Sequence, residues 1–273
     1  MAHHARRPLL CAFLYPSKCL ARVPIRHYGN PRVTPTAKLP TGQSLKTFKK
    51  PGVASPSDIG LLEQTFIMPT GASKPSLFRT PRLRLKLEWH RLKSRVTGLG
   101  GVIYYKYGII KPRPKLKLRQ IAPSALALHR RMYTAFAEGD TATLSTICAE
   151  GLNESFRARI AARPATERIR WTLHKYTRSA RVVSHRGILL PAKASAMRQA
   201  VVRIRSRQSL ARITGVGPDG QEIIAEGTGE EKEIQEYVVV QRMIWKGVEG
   251  PWIVWGTTEE TSLSKIPSLQ EVK

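Results

Sequence analysis

Carboxylates are scarce in this chain and missing from its N-terminal region altogether. No Asp or Glu precedes Asp58, and all 273 residues hold 19 of them against 46 Lys and Arg. A formal charge of +27 repels itself, so an acidic partner, a polyanion or an anionic membrane, is expected to neutralise it. Cysteine is scarce as well. Cys11, Cys19 and Cys148 lack metal-ligand spacing and cannot all pair, which argues against a disulfide framework; Cys148, alone in a predicted helix, reads as a reduced, buried apolar residue. The seven histidines are scattered with neither a helical pair nor an HExxH pattern, so no metal and no cofactor is expected. Long apolar runs are absent too: the best, Val96 to Ile110, is interrupted by Thr97, glycines and Lys106 and falls short of the roughly 20 residues a spanning helix needs.

The charge that is present is unevenly placed. Residues 1–120 hold 24 Lys and Arg against 3 acids, and residues 121–273 hold 22 against 16, so a strongly basic arm precedes a moderately basic domain. Within residues 1–28, Arg6, Arg7, Lys18, Arg22 and Arg26 punctuate an apolar stretch with Leu9, Leu10, Phe13, Leu14 and Leu20. This acid-free, arginine-bearing composition is that of a mitochondrial presequence, and Arg26-His27-Tyr28 before Gly29 resembles a matrix processing site. A matrix location is therefore expected.

From Gly29 to about Pro81, eight prolines interrupt any regular element. The short patch Ile59 to Met68 reads either as a docking segment or as a locally collapsed loop. Residues Arg82 to Arg95 alternate basic and apolar like a strand, yet Pro81 and good helix formers suit a helix equally well. As a helix, Leu85, Trp89 and Leu92 share one face, fit to lie on a membrane surface or along a phosphate backbone. Tyr104, Tyr105, Lys106 and Tyr107 follow, then Lys111, Arg113, Lys115, Lys117 and Arg119. Rings that stack on bases beside cations that meet phosphates suit RNA, so the candidate RNA-binding set is these residues with Arg79, Arg82, Arg84, Lys86, Arg91, Lys93 and Arg95. The run Gly98-Leu99-Gly100-Gly101 lacks the Lys-Ser/Thr of a phosphate loop and reads as a flexible turn.

A globular domain is expected over residues 121–267, after the arm 29–120 and before a tail, 268–273. Leu128, Met132 and Phe136 recur every four residues until Gly139; Asp140 caps a second helix with Leu144, Ile147 and Cys148 on its face, ended by Gly151; a third carries Phe156 and Ile160 and ends before Pro164. Strands follow. Ile169, Trp171 and Leu173 alternate with polar residues; Val182-Val183 and Ile188 to Leu190 come next; Ala200, Val202 and Ile204 alternate with Arg203, Arg205 and Arg207; Tyr237 to Trp245 and Trp252 to Trp255 close the sheet. Three short helices followed by an antiparallel sheet make an α+β fold.

The order of elements and the closing stretch Glu236-Tyr237-Val238-Val239-Val240-Gln241-Arg242-Met243-Ile244-Trp245 … Gly250-Pro251-Trp252-Ile253-Val254-Trp255-Gly256-Thr257 resemble the mitochondrial tunnel-exit ribosomal family called Mba in fungi, which shares its domain with the matrix-side anchor of the inner-membrane import motor. Over about residues 80–267, that resemblance implies a cone-like fold of the nuclear transport factor two type, with a curved sheet wrapped around a helix. It also implies large-subunit ribosomal RNA and neighbouring ribosomal proteins as partners, the inner-membrane surface or insertion machinery as a neighbour, and no small-molecule substrate. It carries over no individual site residue.

Two other readings stay open at this stage. One is an import-motor anchor that binds lipid and a chaperone. The other is a cone-fold enzyme in which Asp140, Glu154 or Glu226 is a buried general base; no spacing pairs any of them with a second polar group, and the expectation is that the protein is not an enzyme.

Overall fold

A computed structural model describes residues 59–62, 65–108, 113, 115–190, 192, 194–216, 219 and 221–263. The expected presequence, the arm before Ile59, Lys111 and the tail lie outside the described residues.

The described residues form four α-helices and five strands: α1 Pro81–Tyr107, α2 Ile121–Glu138, α3 Thr141–Ile147, α4 Glu150–Ala161, β1 Arg168–Leu189, β2 Ala196–Val216, β3 Glu222–Ile224, β4 Lys232–Trp245 and β5 Val248–Thr258. The sheet is antiparallel in the order β1-β2-β4-β5, with β3 pairing a far end of β2. The α+β expectation holds, and α1 falls on the segment that suited strand and helix equally.

The first expected helix ends, and the second begins, where local chemistry dictates, but the second stops at Ile147 rather than at the expected Gly151, which lies inside α4. Gly139 adopts φ 78° and returns its N–H to the carbonyls of Ala135 and Phe136, a conformation that glycine adopts without strain. The Asp140 carboxylate then accepts the Thr143 N–H at 3.0 Å, opening α3, and the Thr143 side chain, followed by that N–H, holds its pKa below the usual carboxylate range. Cys148 was expected within that helix but lies just past it in extended backbone, bridged to Val254 of β5; burial raises its thiol to about 12, in keeping with a small apolar residue.

Alternation in the strands sorts the sheet into two faces. Ala200, Val202 and Ile204 on β2, with Val238, Val240 and Val254, pack against Met132, Tyr133, Phe136, Leu144, Ile147 and Phe156 of α2–α4. Odd-numbered neighbours on β2 point the other way. Val201 joins Val239, Tyr237 and Ile67, while Met197 meets Ile59 and Leu62. The segment 59–70 is thus laid on the sheet's second face. Buried Gln199 holds it there, accepting the Leu62 N–H at 2.9 Å and donating to the Gly60 carbonyl at 3.1 Å. Residues 59–107 were expected to belong to an extended arm. They are part of the packed body, because a sheet with two apolar faces needs a cover on each.

β1 is one continuous strand of 22 residues, although its sequence reads as three separate pieces. Its pairing with β2 slips at four places: between Leu173 and Lys175, Tyr176 and Arg178, Arg178 and Arg181, and Val182 and Ser184. Each slip is bulge-like, and bulges bend and twist a strand without ending it.

Candidate nucleic-acid and membrane interface

The local sequence of α1 gives it two different sides. Pro81 occupies the first turn, where its missing N–H costs nothing, and the Gly108 N–H closes on the Tyr104 carbonyl at 2.7 Å. Leu87, Gly98, Val102 and Tyr105 are buried. A Cβ on Gly98 would lie 2.8 Å from the His185 carbonyl oxygen, and one on Gly101 2.8 Å from that of Gly187. The glycine run expected to be a flexible turn is therefore helical. Its missing side chains let α1 touch the backbone of β1, where Arg186 also donates to Ser94 at 3.0 Å.

The opposite side of α1 is apolar and open. Leu85, Trp89, Leu92, Val96, Leu99, Ile103 and Tyr107 are each more than half exposed, and Phe78, just before the helix, is 97% exposed. Steps of three and four residues put all seven on one stripe. At 3.6 residues per turn, Arg82, Lys86 and Lys93 fall along one flank, and Arg95 and Lys106 along the other. The shared face of Leu85, Trp89 and Leu92 is thus real, extends the length of the helix and points away from the protein. Among the described residues no helix is long and apolar enough to cross a membrane.

The candidate RNA-binding residues are not all available. Tyr105 is fully buried, its hydroxyl raised to about 12 by burial, so it cannot stack on a base. Arg84 is 7% exposed and pairs with Glu88, as does Arg91 at 3.0 Å. Burial tends to raise the Glu88 carboxyl, but the Arg91 hydrogen bond and the nearby cations outweigh it and leave the pKa lowered. Arg79, Arg82, Lys86, Lys93, Arg95, Tyr104, Tyr107, Arg113, Lys115, Lys117 and Arg119 are exposed. Half-buried Lys106 lies 4.9 Å from the Tyr107 ring, and Arg113 lies 5.5 Å from it. The linker between α1 and α2 is tied down by Arg198, fully buried, which donates to the Leu116 carbonyl at 2.8 Å and to His185 Nε2 at 3.4 Å and faces the rings of Tyr105 and Trp252. Burial, then the Arg198 charge, push His185 down to about 4, leaving a neutral imidazole.

Sequence reasoning missed two polar features. Glu236 is 5% exposed inside the helical layer, 2.8 Å from His129 Nε2 and 2.5 Å from the Tyr133 hydroxyl. Trp171 stacks on Tyr133 at 5.2 Å and donates to Gln208 at 3.1 Å. The Tyr133 hydroxyl is raised well above its usual value by burial and the Glu236 charge. This sealed cluster braces α2 against the sheet. Of the three carboxylates weighed as a buried base, Glu154 and Glu226 are exposed and Asp140 is the cap of α3. The second feature is a groove of about 520 Å³ between α1 and the second sheet face, lined by Lys74, Arg91, Arg95, Arg181 and Arg203 and by no carboxylate.

No curated protein matches this sequence. Among solved structures, the intermembrane-space region of the chloroplast protein ARC6 is 13% identical, covering 54% of this chain and 97% of that one with a TM-score of 0.31. An uncharacterised protein with a cystatin-like fold from Caulobacter vibrioides is 14% identical, covering 54% and 96% with a TM-score of 0.22. Scores that low do not establish a shared fold. The MBA1-like protein family, by contrast, matches residues 55–271, which takes in both covers of the sheet and every strand. On that match the chain belongs to the MBA1-like protein family, and so to the mitochondrion, in a role tied to its ribosome or its inner membrane.

Proposed function

We propose that the protein is a non-catalytic component of the mitochondrial large ribosomal subunit near the tunnel exit. In this reading it holds ribosomal RNA through its basic surface and rests α1 on the matrix face of the inner membrane, so that nascent chains emerge beside the insertion machinery. A presequence within residues 1–28 delivers it to the matrix, and the packed body is a cone-like domain of the family's type.

The outward stripe of α1 carries the reading. A surface helix normally turns its apolar stripe inward. This one turns its glycine-bearing side inward and leaves seven large apolar residues in solvent, flanked on both sides by cations. That is the arrangement of a helix lying in a bilayer interface, with side chains in the acyl boundary and Lys and Arg at the headgroups. Each large side chain that reaches the boundary contributes about 1.5 kcal/mol or more, and the cations add attraction to anionic lipid.

Flotation of the purified chain with anionic phospholipid vesicles tests this. The wild type should float, and a Leu85→Gln/Trp89→Gln/Leu92→Gln variant should stay in the dense fraction with an unchanged melting temperature. Equal flotation of both would remove α1 as the membrane contact. The ribosomal half of the proposal requires cosedimentation with the mitochondrial large subunit at moderate salt, and migration with a membrane translocase instead would overturn it.

A further inference from the structure

Like charges face each other across β1 and β2 on three rungs in succession. Lys175 is the register partner of Arg207, Arg178 of Arg205, and Arg181 of Arg203. Facing residues of an antiparallel pair share a sheet face, and like charges placed so destabilise the sheet. All six side chains lie on the second face, because Val202, Ile204 and Ser206 point into the helical layer between them. Lys175, Arg178 and Arg181 stand every third residue, a spacing that a regular strand would scatter over both faces. The slips between Tyr176 and Arg178 and between Arg178 and Arg181 keep them in phase.

Neutralisation is uneven along the ladder. At one end Arg207 meets Glu231 at 3.3 Å and faces Glu233 on β4. In the middle Arg205 donates to neutral Gln235 at 2.6 Å. Among the described residues no carboxylate lies within salt-bridge distance of Arg178, Arg181 or Arg203. Arg181 and Arg203 also line the groove under α1, where Lys74, Arg95 and the Glu88-paired Arg91 face them. The cations therefore form a continuous track from the open sheet into a recess.

We infer that this track binds the sugar-phosphate backbone of single-stranded RNA, one strand running down the β1–β2 ladder and into the groove beneath α1. The inference rests on the ribosomal reading above and assigns its RNA contact to the sheet face. Successive rungs are two residues apart on β2, about 7 Å, a spacing that an extended nucleic-acid strand matches with consecutive phosphates. The groove has the volume of a small-molecule pocket, enough for a nucleotide and too small for a double helix. A bilayer resting on the outward stripe of α1 stays on the far side of that helix from the sheet. Phosphates would relieve the repulsion between the rungs, so the cost of the ladder in the free protein becomes affinity in the complex.

The test compares the full chain with an Arg178→Gln/Arg181→Gln/Arg203→Gln variant, using a fluorescent oligouridylate, an RNA hairpin of equal length and anionic phospholipid vesicles. Expected for the variant are affinity for the oligouridylate at least about tenfold weaker, a log-affinity against log-salt slope flatter by about two, unchanged vesicle binding, and a melting temperature equal to or above that of the wild type. The corresponding triple Lys variant should retain binding within about threefold, since the contact is electrostatic. If the wild type binds the oligouridylate and the glutamine variant binds it equally well with the same salt slope, the track is not the site, while the ribosomal reading stands. If the variant loses vesicle binding and not RNA binding, the track faces lipid. If the hairpin is the tighter ligand and the one lost, the single-strand assignment fails. Absence of RNA binding by the wild type would overturn both the track and the RNA contact of the proposed function.

Discussion

The two faces of one sheet are built from alternate residues of the same strands, yet they obey different rules. On the helical face, Val202 and Ile204 are at most 1% exposed against α2–α4, and buried Glu236 pairs with His129 and Tyr133, while Ser206 Oγ and His129 Nδ1 are buried without a hydrogen-bond partner. On the other face the cover is partial. Residues 59–70 and α1 shield Met197, Val201 and Val239 but leave Arg178, Arg181 and Arg203 unopposed. One face is closed and the other partly open, so residues one position apart have different settings: Ile204 is sealed, while Arg203 is half-buried with no carboxylate within salt-bridge distance among the described residues.

The sharpest way to break that contrast is to treat those neighbours alike. Ile204→Asp should unfold the domain, because a carboxylate with no partner would be sealed under α2; a loss of about 4 kcal/mol or more is expected in urea denaturation. Arg203→Asp, one residue away, should leave the urea midpoint unchanged or raised, and a large drop there would show that the second face is load-carrying core.

A smaller effect is expected at the junction of α1 with β1. Gly101→Val would drive side-chain atoms into the Gly187 carbonyl, which is backbone and cannot swing aside, at a cost of about 1–3 kcal/mol. Limited proteolysis should then cut within α1 while α2–α4 stay protected; cleavage unchanged from the wild type would mean the helix is held by other contacts.

Acid should probe the same junction through His185. Its folded pKa of about 4 lies below the ordinary 6.5, so the unfolded chain takes up the proton first as pH falls. The stability is fully present above about 6.5 and is lost toward pH 4, by up to about 3 kcal/mol. Glu88 and Asp140, also lowered, lose their contribution only below their unfolded values, 4.5 and 3.8. The slope between pH 6.5 and 4.5 should therefore flatten in His185→Gln, and an unaltered slope would assign it elsewhere.

The smallest predicted change has the opposite sign. Arg178→Gln alone removes one like-charge pairing and should raise stability by a few tenths of a kcal/mol. A clear loss would mean Arg178 is held by a favourable contact.

How much of this was legible without coordinates varies by element. Gly139 and Asp140 announce a helix end and a helix start because capping is decided within a few residues. The alternation at Ala200, Val202 and Ile204 announces a strand and its inward side for the same reason. The shared face of Leu85, Trp89 and Leu92 was legible as a stripe fit for a membrane surface; what was not legible is the second side of α1, where Leu87, Val102 and Tyr105 are buried, since nothing local says which side packs inward. Tyr105 entered the RNA-binding set because a tyrosine among lysines suits RNA; its burial depends on Gly187, far along the chain.

The sequence by itself determined the charge asymmetry, the α+β order of elements, the end of α2 and the start of α3, all of which follow from composition or from interactions between near neighbours. Tertiary structure alone decided that Gly98 and Gly101 turn inward, that Glu236 meets His129 and Tyr133, and that slips in β1 align Lys175, Arg178 and Arg181 opposite Arg207, Arg205 and Arg203. Each of these depends on the register of two distant segments, and register is set by how both faces of the sheet are covered, which no local period encodes.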